Sequence, residues 1–109
     1  MTPGGRQYTP EECNAVLASC RGQIEDRYTR ACADGDPDRV VMVVDKPGGP
    51  QEGVTIHDFR RADFLEIVFA RGSTDDGYAF LRRTPAPGTF YAIVCLGGSY
   101  SIYTLPAPA

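Results

Sequence analysis

The sequence has no apolar run approaching the ~20 residues that a membrane-spanning helix requires. It is also short of the residue types on which catalytic and metal sites depend. There is one histidine, His57, and one lysine, Lys46, in 109 residues. None of the four cysteines, at 13, 20, 32 and 95, forms a Cys-x-x-Cys pair, whereas zinc sites draw four ligands, usually from close pairs. A Gly-x-Ser-x-Gly elbow, a Walker-type phosphate loop and a Gly-x-Gly-x-x-Gly turn are all missing, so no motif announces a nucleophile or a bound nucleotide. The opening Met-Thr-Pro-Gly-Gly-Arg has no apolar stretch behind it, which reads against a signal peptide and for a cytoplasmic chain. No metal or cofactor is expected.

What is present is close to the globular average. Hydrophobic residues make up 42% and charged residues 23%, which excludes collagen-like, low-complexity and wholly disordered chains. The length suits one domain. The net charge is −3. Residues 1–54 hold six basic and nine acidic side chains, and residues 55–109 hold five of each. An acidic chain repels phosphate backbones unless its basic groups cluster. Only Arg60-Arg61 and Arg82-Arg83 could cluster, and both read more simply as solvated or ion-paired side chains, so nucleic acid is not an expected partner.

Residues 1–8 are rich in Gly and Pro and read as a flexible arm. Thr9-Pro10-Glu11-Glu12 then announces a helix: Thr9 is a good N-cap, Pro10 suits the first position, and Glu12 completes a capping box. Cys13, Val16, Leu17, Cys20, Ile24, Tyr28 and Ala31 follow at steps of three and four, which is one apolar helical stripe. Gly22 is the weak point and suggests close approach by a strand. Asp34-Gly35-Asp36-Pro37 should stop this single long helix near Ala33. On it Cys13 and Cys20 stand about 10 Å apart, too far to bridge, and the cysteines read as small buried hydrophobes. Asp34, Asp36 and Asp38 resemble half of a calcium loop, but the twelfth position is Asp45 rather than Glu.

Beyond residue 38 the period shortens to two. Residues 39–45 are β-branched and read as a central strand, residues 46–53 as a Pro/Gly loop, and residues 54–57 as a short strand. The stretch 59–71 is ambiguous. A helix would be capped by Asp58 and Gly72, while alternation of Leu65, Ile67 and Phe69 against Phe64, Val68 and Ala70 favours a strand over 63–71, buried on both sides. A turn over 72–77 leads to a strand over 78–82. Residues 89–96 and 99–105 form a hairpin through Gly97-Gly98, and Pro106 ends the sheet, leaving a Pro/Ala tail over 106–109.

The expected architecture is α+β: one long N-terminal amphipathic helix over a curved, mostly antiparallel sheet of five or six strands, within one domain over 9–105. The helix stripe should face Val41, Val43, Leu65, Ile67, Ile93 and Cys95. Aromatics concentrate in the C-terminal part, where Tyr91 and Tyr103 are expected on an exposed stripe with Tyr78, Arg82 and Arg83. Tyr and Arg are enriched at interface hot spots. That pattern points to a non-enzymatic protein-binding domain (an adaptor, inhibitor or assembly subunit), with another protein or a second copy as partner. Internal cover of the same face is the equal alternative. A second reading places a small-molecule pocket near His57 and Asp58, although neighbours on a strand point to opposite faces. A third is a structural subunit of a homo-oligomer.

Overall fold

The computed structural model describes residues 8–70 and 76–108. Most of the expected arm and of the 72–77 turn, Gly72 included, lies outside the described residues. The elements, in chain order, are α1 (Pro10–Ser19), α2 (Arg21–Ala33), β1 (Arg39–Asp45), β2 (Val54–Arg60), α3 (Arg61–Ala70), α4 (Asp76–Phe80), β3 (Thr89–Leu96) and β4 (Ser99–Pro106). The four strands form one sheet in the order β2-β1-β3-β4. β1/β2 and β3/β4 pair antiparallel, while the central β1/β3 pair is parallel. The fold is therefore α+β with a mostly antiparallel sheet, of four strands rather than five or six.

The N-terminal helix starts as its sequence dictates. The Thr9 hydroxyl accepts from the Glu12 amide at 3.1 Å, and the Glu12 carboxylate accepts from the Thr9 amide at 3.0 Å. It is not one long helix, however. It breaks at Cys20, whose ψ of 17° leaves the helical range. The Ser19 hydroxyl and the Cys20 thiol both donate to the Val16 carbonyl, and such side-chain bonding back onto the preceding turn bends helices. Gly22 lies just beyond the break. No strand approaches it: a Cβ there would meet nothing within 4 Å. α2 ends after Ala33 as expected. Gly35 takes φ +84°, its amide donates to Cys32, and the Asp36 amide donates to Ala31, which is the Schellman arrangement.

The favoured strand over 63–71 is helix α3, and the expected strand over 78–82 is replaced by the short helix α4. Helical spacing turns Phe64, Leu65 and Val68 onto the sheet and leaves Ile67 53% exposed. The alternation in this segment was real but had no neighbouring strand to satisfy. The parallel β1/β3 pair needs a crossover, and α3 and α4 lie on that connection.

The sheet is consequently covered on both faces. On one side Cys13, Leu17, Cys20 and Ile24 pack against Val41, Val43, Ala92, Val94 and Leu96, and Tyr28 stacks on Phe90 with ring centroids 4.2 Å apart. On the other, Phe64 and Leu81 pack against Val40, Tyr91 and Ile93. Ile93 and Cys95, expected beneath the N-terminal helix, face the second layer instead. No helix among the described residues is long and apolar enough to cross a membrane.

Candidate functional site

The residues expected to form one exposed stripe fall on two faces of the sheet. Gly97 and Gly98, at φ +56° and +89°, make the two-residue turn of a primed hairpin. The resulting register pairs Tyr91 with Thr104 and Ala92 with Tyr103, so Tyr91 and Tyr103 point in opposite directions. Tyr91 is only 2% exposed. It lies in the second core layer and donates its hydroxyl proton to the Arg83 carbonyl at 2.7 Å. Tyr103 lies over the α1 side and donates to Asn14 Oδ1 at 2.7 Å. Burial raises its phenol above the ordinary range.

Tyr78, on α4, stacks on Tyr100 of β4 with centroids 4.4 Å apart. Arg82 and Arg83 are exposed, and the Arg82 guanidinium sits 4.0 Å above the Phe69 ring. Tyr78, Tyr91, Arg82 and Arg83 therefore belong to one region of the molecule, and Tyr103 does not. Of the two arginine pairs, Arg60 and Arg61 are held by Asp63 and Asp38.

His57 and Asp58 are likewise separated by the pleat. Asp58 pairs with Arg27 at 3.3 Å and with Arg39 at 3.5 Å. His57 is exposed, its Nε2 standing 3.2 Å from the Thr55 hydroxyl. It lines neither of two surface clefts. One, of about 460 Å3, lies between Asp45-Lys46 and the Gly97-Gly98 turn. The other, of about 290 Å3, lies between α2 and β2, beside Arg27, Arg30, Val54 and Ile56.

The strand order brings together a feature that residue-type reasoning missed. β2 and β4 are the two edges of the sheet. Along β4 the phase of the backbone is fixed by the Ala107 amide, which donates to the Gly88 carbonyl at 2.8 Å. Odd-numbered residues of β4 thus turn their amides and carbonyls toward β3, and Ile102 and Thr104 turn theirs away from the sheet. No backbone group among the described residues meets those of Ile102 and Thr104. Side chains do not discourage a newcomer: from Ser99 to Pro106 the strand carries no charge. β2 differs. Lys46 donates to Gly53 and Arg61 to Asp38, so Val54, Ile56 and Asp58 face outward there. That edge bears Asp58 and Arg60 and is flanked by Asp26, Arg27 and Arg30 of α2. Charged edges resist strand pairing, and uncharged ones invite it. The uncharged run was legible in the sequence; its place at an edge was not.

Compared with family models, with curated proteins and with solved structures, the chain matches none.

Proposed function

We propose that this chain is a non-enzymatic protein-binding module whose binding element is edge strand β4, at its Ile102–Thr104 stretch, extended by a strand of its partner. The observation that carries the reading is the outward set of Ile102 and Thr104 amides and carbonyls on an uncharged strand. Main-chain hydrogen bonds give such strand addition its affinity, and alternate side chains give it specificity. Exposed Arg82 and Arg83, together with Phe80 at 44% exposure, supply side-chain contacts beyond the strand. Tyr91 is withdrawn from the binding set because it belongs to the core.

Thr104 provides the test. Its side chain is exposed, and its amide takes no part in the β3 ladder. Thr104→Pro removes one outward donor and leaves the internal ladder whole. Tagged wild-type chain is expected to retain a stoichiometric partner, foreign or a second copy, from lysate of the source cell at low salt. Thr104→Pro should lose that partner while keeping the wild-type circular dichroism. Equal retention by the variant overturns the reading.

A further inference from the structure

Resting on that reading, we infer that the strand taken up by β4 is an acidic one, with carboxylates on the face of the sheet that Tyr91 and Thr104 share. Arg82 and Arg83 receive those carboxylates.

The register places the arginines. Tyr91 and Thr104 are direct partners in the β3/β4 ladder, so their side chains rise from the same face. The Tyr91 hydroxyl donates to the Arg83 carbonyl at 2.7 Å, and the Phe80 ring meets the Tyr91 ring edge to face at 5.6 Å. The turn over 80–83 thus stands above the cross-strand row that Thr104 ends at the sheet edge. A strand paired outside β4 extends that row by one residue, whose side chain rises on the side of this turn. The residues flanking it point the other way, toward the α1 layer, where Tyr103 is bonded to the uncharged Asn14. Alternate positions of the incoming strand therefore meet different chemistry, which is how strand addition gains specificity.

Charge selects the occupant. Five arginines, at 21, 27, 39, 60 and 61, are paired with carboxylates of this chain. Arg82 and Arg83 are exposed and, among the described residues, meet no carboxylate. Arg30 also lacks one, but it lies on α2 beside the opposite edge. The Arg82 guanidinium sits over the Phe69 ring, and stacking uses the face of a guanidinium while leaving the N–H groups of its rim for a carboxylate. The carbonyls of Leu81, Arg82 and Arg83 are held by Arg61 and Tyr91, so the turn is set before a partner arrives. A nucleic acid fits less well: two arginines neutralise few phosphates, and the chain as a whole carries a net charge of −3.

Fluorescence anisotropy with two short, labelled, end-blocked peptides tests the inference on the full chain. One peptide alternates Thr with Glu, the other Thr with Lys. The Thr/Glu peptide should bind about tenfold or more tightly than the Thr/Lys peptide. Arg82→Gln with Arg83→Gln should erase that difference, and Thr104→Pro should abolish binding of the Thr/Glu peptide, both variants keeping the wild-type circular dichroism. Equal binding of the two peptides contradicts the inference, and strand addition still stands if Thr104→Pro removes both. A Thr/Glu preference that survives the double arginine variant also contradicts it, because the acid is then read elsewhere. Thr/Glu binding that survives Thr104→Pro overturns strand addition and the inference together. Failure of both peptides to bind contradicts the inference, while strand addition is then decided by partner retention in Thr104→Pro. An oligouridine that binds more tightly than the Thr/Glu peptide, and is lost in the double arginine variant, assigns the arginines to nucleic acid instead.

Discussion

Arg61 closes on Asp38 across the sheet end, its Nε 2.9 Å and its Nη2 3.2 Å from the two carboxylate oxygens. The same guanidinium donates to the carbonyls of Leu81 and Arg82, and its side chain is only 14% exposed. One residue thus ties the start of α3 to the approach to β1 and to the segment after α4. Asp38 is half exposed, so the ion pair alone is worth little; the bonds to backbone carbonyls carry more. Arg61→Ala should cost about 2 kcal/mol in chemical denaturation. Arg61→Lys should recover only part of it, because an ammonium lacks the planar fork. Equal stability of Arg61→Ala and wild type would contradict this role.

Tyr91 and Tyr103 separate folding from binding. Tyr91→Ala removes a core aromatic and should cost about 3–5 kcal/mol, enough to unfold much of the chain. Tyr91→Phe should cost only about 1 kcal/mol for the bond to Arg83. Tyr103→Phe should be similarly mild. A loss of binding in Tyr91→Ala therefore reports unfolding, which thermal melts of the three variants should make plain.

The helix stop at Gly35, the capping box at Thr9, and the strands 39–45, 89–96 and the Gly97-Gly98 hairpin were legible because each is written in local chemistry. Two things were not. Segment 63–71 is apolar on both faces, which serves a buried strand or a sheet-covering helix equally well; the choice depended on a tertiary need for cover. The parallel β1/β3 pairing, and with it the edge position of β4, is also a property of the whole chain. The opposite facing of Tyr91 and Tyr103 was within reach, since a two-residue turn at 97–98 already sets Tyr91 against Thr104.

Gly22 stands in open space at the start of α2, with a Cβ position free of neighbours. It contributes no close approach and carries only its entropic cost. Gly22→Ala should stabilise the chain by about 0.5–1 kcal/mol. A destabilised variant would show that the break at Cys20 depends on glycine rather than on the side-chain bonds to Val16.

The cysteines divide by burial. Burial pushes the Cys95 thiol up to about 11 and also raises Cys20, Cys13 is buried, and Cys32 is exposed. Cys32 should be the first to react with a thiol reagent at neutral pH, as peptide mapping will show. A thiol whose pKa rises on folding contributes stability that is whole below its unfolded value and is lost as pH climbs through its folded value. Wild-type stability should accordingly fall from about pH 9 toward pH 11 more steeply than that of Cys95→Ala. Tyr28 and Tyr103, also raised by burial, remain in both proteins, so the difference between the two curves isolates Cys95.

The most direct measurement is amide hydrogen exchange at Ile102 and Thr104 in the chain alone and in the complex captured with it, with the outward Ile56 amide of β2 as internal reference. If a partner strand adds to β4, exchange at Ile102 and Thr104 slows in the complex while Ile56 stays fast. Exchange that remains as fast in the complex as that of Ile56 would contradict strand addition at β4.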